Sequence, residues 1–337
     1  MVACANLTYG MLTGYGRSCP SSGLYGPEIH MGRAPMLGMW LRTGVLLTLA
    51  LMGAGCGRDG DVENRSGTTV SKVTTTDIVA PVPTQTDVNR NGIPDSDPAD
   101  TDSPGIMRVV YEDASSSEAV RGRSFMEANR LLKQLADDIN NTLKLPFDIT
   151  LKGSQCDEPN DFWSDSDQSI TLCYEDAAHA IDVFTKLGDA DPETSAFGTE
   201  LEAFYHETGH MVISIYDLPA TGREEDVADQ ASTYLLLRPT DGKIDPDSIN
   251  AIKNTARLYK DSSENGDLDD GALADVHSPD RTRMYNFECW AYGADPDQSA
   301  DLVSGGLLPE DRAKGCADEY ERLEHAWSTL LKPYLKG

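Results

Sequence analysis

The sequence predicts an α+β fold, with a small N-terminal sheet followed by a mainly helical remainder. Three observations carry this. Composition changes abruptly near residue 105, short apolar runs with strand character follow, and beyond Pro192 the apolar residues recur at helical spacing. The first element is "IMRVVYED", a strand. A helix follows from Ser117 to Leu143, where Phe125, Ala128, Leu131, Leu132 and Leu135 fall on one face. "FDITLKG" and "SITLCYE" read as two further strands, and "DAAHAIDVFTKL" reads as a helix. The remainder is expected as helices over 194–215, 223–237, 248–259, 280–292 and 311–331.

Residues 106–337 therefore form the expected domain, and a long lead-in precedes it. Its only extended apolar run, Thr43–Gly55, is too short to span a bilayer and follows Arg33 and Arg42, so residues 1–55 read as a signal-peptide region. Residues 1–30 lack that layout and read as an over-extended start. The run ends in "LMGAGC", which resembles a lipobox with Cys56 as the lipidated cysteine, although Gly53 stands where leucine is preferred. Simple secretion is the alternative. Residues 56–105, rich in Thr, Asp, Pro, Ser and Gly, read as a disordered acidic tether. Within it Asp87, Asn89, Asn91, Gly92 and Asp95 keep the spacing of a Ca2+-binding loop, but position twelve is Pro98 in place of glutamate. The stretch reads as either a Ca2+ site or solvated linker.

With 28 basic against 56 acidic residues the chain carries a formal charge of -28, which argues against a nucleic-acid partner and favours solubility or the attraction of basic substrates. Behind Cys56 four cysteines remain. An even number in an exported chain, with no C-x-x-C, favours two disulfides, and the sequence-local pairing of Cys156 with Cys173 and Cys289 with Cys316 is the one expected.

The chemistry concentrates in "FYHETGHMVISIYDLPATGREEDVADQ". On a helix His206 and His210 stand one turn apart and Glu207 shares their edge, so two imidazoles converge on one Zn2+ while the glutamate reaches the attacking water. The motif alone also arises by chance on solvated helices. A third ligand must come from the next helix, where Thr221 and Glu224 form a capping-box pattern that would occupy Glu224. At about 1.5 Å rise per residue, antiparallel helices set Glu225 opposite His210 and Asp229 opposite His206. Glu225 is then the third ligand, and Asp229 orients His206.

"HETGH" followed by "EDVAD" resembles the gluzincin zinc metallopeptidases. Together with "ITLCYE", "GREEDVADQAS" and "HSPDRTRMYNFECWAYGADPD" it is similar to a bacterial exported metallopeptidase family of obscure substrate. The likeness runs from about Gly105 to the C-terminus and implies a zincin-like fold in which the helical part holds the active site. In related membrane-embedded gluzincins a histidine, with an arginine six residues on, lies at the catalytic centre. His277 and Arg283 match that spacing, with Pro279 displaced by one position. The resemblance implies that one of them donates to the oxyanion; an exposed helix-start histidine and a surface ion pair are the alternatives. His179 and His325 read as ordinary helix histidines. An exposed edge of "SITLCYE" could pair with an extended peptide.

The resulting expectation is a lipid-anchored cell-envelope zinc peptidase in which Glu207 is the general base, acting on protein or peptide substrates and touching the membrane only through its anchor. The rival is an acidic surface lipoprotein that acts as an interaction protein with a structural or silent metal site.

Overall fold

In the computed structural model of the chain the described residues are 104–240, 242–266 and 268–336. The expected leader, Cys56, almost all of the tether and the Ca2+ candidates Asp87, Asn89, Asn91 and Asp95 lie outside them. Among the described residues no helix is long and apolar enough to cross a membrane.

The fold is α+β, as the sequence predicts. β1 (Met107–Tyr111) leads into two helices, α1 (Ser117–Ala128) and α2 (Leu131–Thr142), and then β2 (Ile149–Ser154). The expected single helix over 117–143 is thus two. Asn129 donates its side-chain amide to the Phe125 carbonyl at 2.9 Å, taking an acceptor near the helix end, and Arg130 turns the chain with a left-handed φ of 53°. β3 (Asp161–Ser164) and β4 (Ser169–Cys173) complete a sheet of order β1-β2-β4-β3, in which β1, β2 and β4 are parallel and β3 is antiparallel to β4. Sequence reading passed over β3. In consequence "SITLCYE" is a central, fully buried strand and not an edge; β1 and β3 are the edge strands, and β3 is the one beside β4.

The helical part begins with α3 (Tyr174–Leu187) and α4 (Pro192–Ile215) and continues with α5 (Glu224–Leu236), α6 (Pro246–Asn265), α7 (Asp270–Ala274) and α8 (Asp280–Ala294). It closes with α9 (Ala300–Ser304), α10 (Glu310–Ala313) and α11 (Cys316–Leu331), then a short 3-10 turn at Lys332–Tyr334. The helix expected over 311–331 is broken at Gly315, which becomes the N-cap of α11. α4 is capped by Asp191, whose carboxylate accepts the Thr194 N–H, and starts with Pro192 in the first turn, where the missing N–H costs nothing. It is buried on almost every side and packs against α3, α5 and α6. Phe204, Met211 and Val212 join the apolar core, so the polar residues on the remaining edge of α4 are buried with them. Both expected disulfides form, Cys156–Cys173 between the chain just after β2 and the end of β4, and Cys289–Cys316 between α8 and α11.

Candidate metal centre

Gly209 sits between the two histidines of α4, where a Cβ would lie 3.0 Å from both Ala228 Cα and Ala231 Cβ of α5. Small residues on both sides let the helices approach closely. The approach carries Glu225 to the histidines: its Oε2 lies 3.2 Å from His206 Nε2 and 3.2 Å from His210 Nε2, and the two Nε2 atoms are 3.2 Å apart. Tetrahedral zinc with bonds near 2.0–2.1 Å holds its ligand atoms about 3.3 Å apart, so this triangle has the edge length of one tetrahedral face. Two imidazole nitrogens and a carboxylate oxygen aimed at one point form a suitable donor set for Zn2+.

Each imidazole is oriented from behind. His206 Nδ1 lies 2.9 Å from Asp229 Oδ1, and His210 Nδ1 lies 3.0 Å from Glu224 Oε1. A carboxylate on Nδ1 keeps the proton there and leaves the Nε2 lone pair for the centre. The contact of Glu224 corrects the expected capping box. The first intrahelical bond of α5 runs from the Val227 N–H to the Arg223 carbonyl, so Arg223 is the N-cap and Glu224 opens the helix with its side chain free to meet His210. Thr221 makes no cap.

Asp229 is itself held by Arg283, whose guanidinium lies 4.2 Å over the Tyr259 ring. Arg283 is buried, so it forms no surface ion pair, and its Nε and one Nη are committed to Asp229. His277 does reach the centre. Its Nε2 is 3.1 Å from Glu225 Oε2 and its Nδ1 is 2.9 Å from Asp275 Oδ1, while Arg223 ties the loop by donating to the Asp275 and His277 carbonyls.

These carboxylates make the spot strongly receptive to positive charge. Burial alone would depress the His206 imidazolium, yet Asp229 and Glu225 push it up to about 10. Burial would raise Glu225 and Asp229. The three histidines bring the first below the usual carboxylate range, and Arg283 and His206 bring down the second.

Glu207 faces a cleft of about 820 Å³ lined also by Asp161, Glu202, His206, Tyr259 and His277. Its Oε2 accepts the backbone N–H of Trp163 from β3 at 2.7 Å, which joins that edge of the sheet to the centre. Sequence reasoning missed this donor, because a main-chain N–H has no residue signature. It also missed Glu202, which receives the Ser232 hydroxyl at 2.5 Å and is raised to about 7 by burial and by Asp229. His179 lines the same cleft but is not one of the triangle's donors, and His325 lies on α11.

A family model described as "Putative metallopeptidase", DUF4344, matches residues 111–331, a span that holds every residue of the centre. No curated protein and no solved structure matches the chain.

Proposed function

The chain belongs to this metallopeptidase family, and from that premise we propose that it is a zinc-dependent peptidase of the gluzincin type. The observation that carries the reading is the triangle of His206 Nε2, His210 Nε2 and Glu225 Oε2 with 3.2 Å sides, three donors with one vertex of a tetrahedron left for water or substrate. Zinc at that point would supply Lewis acidity, lowering the pKa of the attacking water and polarising the scissile carbonyl.

The chain's own groups do the rest. With Oε2 held by the Trp163 N–H, Glu207 has its other oxygen to take the proton of the attacking water. The water oxygen bonds to the carbonyl carbon, the C–N bond breaks, and Glu207 returns the proton to the leaving amine. His277, half-exposed and braced through Nδ1 by Asp275, would turn its Nε2–H from Glu225 to the oxyanion when substrate is bound. Arg283 acts through Asp229 and is a positioning residue, as is Asp229 through His206.

We place the domain behind a cleaved leader and an acidic tether, exported and lipid-anchored through Cys56, a reading supported by the "LMGAGC" stretch and the two disulfides.

The test is metal analysis and peptide hydrolysis by wild type and Glu207→Gln. One zinc per chain in both, with hydrolysis lowered about 10²-fold to 10⁴-fold in the variant, is expected. Full activity in Glu207→Gln ends the general-base assignment, and metal binding without hydrolysis by wild type would favour the interaction-protein reading.

A further inference from the structure

The cleft beside Glu207 is lined by six carboxylates, and four of them are engaged. Asp182 pairs with Arg121, Asp261 with Lys186 at 2.9 Å, Glu202 with the Ser232 hydroxyl and Glu207 with the Trp163 N–H. Asp161 and Asp176 form no ion pair with any lysine or arginine among the described residues. Asp161 Oδ1 accepts the Cys173 N–H at 2.7 Å, but its Oδ2 is buried and meets no donor. Glu200 is fully buried, and its only polar neighbour is the Asp176 carboxyl, with which it shares a hydrogen bond. It stands seven residues before Glu207, two turns of α4 with only about 20° of rotation, and so underlies the same edge of the helix.

Buried carboxylates without donors are costly. Burial, together with the charges of Asp176 and Glu200, holds Asp161 well above the usual range; burial and Asp176 do the same to Glu200, and burial raises Asp176 against the opposing pull of His179 and of the hydrogen bond with Glu200. The nearest basic side chain on the same helix is His179, one turn from Asp176 and exposed. A cation entering from the cleft would relieve this arrangement.

We propose, resting on the peptidase reading above, that Asp161 and Asp176, backed by Glu200, form the subsite that receives a lysine or arginine side chain next to the scissile bond. Two features favour a side chain over a bare ion. The groups whose ligand atoms gather within 4.8 Å of one another all contain His206, and none contains Asp161, Asp176 or Glu200. The trio is too spread for compact coordination and suits a guanidinium or ammonium that hydrogen-bonds outward. Asp161 also lies two residues from Trp163 on β3, about 7 Å along the strand from the N–H that holds Glu207, within reach of one extended basic side chain.

The experiment uses the zinc-loaded protein and peptides that differ at one residue flanking the cleaved bond: Arg, Lys, norleucine or Glu, on each side in turn. Arg and Lys peptides should exceed norleucine by about 10-fold or more in kcat/KM, the Glu peptide should be slowest, and Asp176→Asn should bring the Arg-to-norleucine ratio close to one. Asp161→Asn should do the same, as a second variant. A flat profile, or a preference that survives in both variants, overturns the proposal.

Calorimetric binding of the Arg and norleucine peptides to Glu207→Gln separates recognition from turnover. Tighter binding of the Arg peptide supports the subsite even where no peptide is hydrolysed; equal binding overturns it and leaves the peptidase reading standing. A rise in Tm with Ca2+ alone that Asp176→Asn removes, without any preference among the peptides, makes the pocket an ion site and also overturns it.

Discussion

Arg283 grips Asp229 with two parallel hydrogen bonds, Nε to Oδ2 at 2.9 Å and Nη2 to Oδ1 at 2.6 Å, and the same Oδ1 lies 2.9 Å from His206 Nδ1. Both side chains are buried, so the pair is worth most when it is broken on one side only. Arg283→Met should cost about 3–5 kcal/mol in urea unfolding, because it leaves the buried Asp229 charge with His206 as its remaining partner and Oδ2 without a donor. Asp229→Asn should weaken zinc binding by about 10-fold to 100-fold in chelator competition. In a double-mutant cycle the two changes together should cost less than the sum of the singles; additive costs would show that the pair is not coupled.

Glu225 is the carboxylate whose loss should strip the centre of zinc. Glu225→Ala removes the one oxygen 3.2 Å from both Nε2 atoms. Glu224 touches only His210 Nδ1 and its side chain is half exposed, so Glu224→Ala should loosen zinc only a few-fold, about 1 kcal/mol or less. Thr221→Ala should be silent in both metal content and Tm. Zinc retained in Glu225→Ala but lost in Glu224→Ala would reverse the assignment.

The two disulfides should separate stability from function. Cys156–Cys173 closes a span of 17 residues that contains β3, and with it the N–H that holds Glu207. Replacing both cysteines by serine should cost about 3 kcal/mol and lower kcat at temperatures where the protein remains folded. Cys289–Cys316 joins helices away from the cleft, so its removal should cost similar stability with kcat intact below the transition. Equal losses of kcat would dissociate β3 from catalysis.

Glu288 predicts a pH effect unrelated to the centre. It is buried, its Oε2 meets no donor, and burial raises its pKa to about 7 despite Lys260. A folded-state pKa above the ordinary 4.5 means that the fold binds the proton more tightly than the unfolded chain. Stability from this group is complete below about pH 4.5 and lost as pH rises through about 7. Glu288→Gln should therefore match wild type at pH 5 and gain about 2 kcal/mol at pH 8. Equal differences at the two pH values would exclude the effect.

What was legible in the sequence followed local physics. Helices α3, α4, α5 and α8 carry apolar residues at helical spacing, and the spacings of His206, His210, Glu225 and Asp229 place those side chains on facing edges without any tertiary knowledge. β3 is only "DFWS", four residues with no apolar run, and it exists because β4 offers it a partner. The break at Arg130 has neither glycine nor proline to mark it. The capping box at Thr221 was a correct pattern in the wrong register, since helix α5 starts at Glu224. Long-range pairs such as Arg283 with Asp229 and Trp163 with Glu207 join residues 54 and 44 apart, which no local pattern encodes.

The close crossing of α4 and α5 at Gly209 bears on the order in which the protein folds. These helices are sequence neighbours joined by a short turn, so their docking closes a small loop at low entropic cost, whereas the parallel pairing of β1 with β2 must wait for the intervening chain to be ordered. His206, His210 and Glu225 are therefore brought together early, by local collapse. Trp163 reaches Glu207 only once the sheet has formed, and Arg283 reaches Asp229 only once α8 has docked. On the proposed function, the metal ligands would thus assemble before the groups that position the general base. Pulsed hydrogen exchange should show α4 and α5 protected before β3; protection of β3 first would reverse the order.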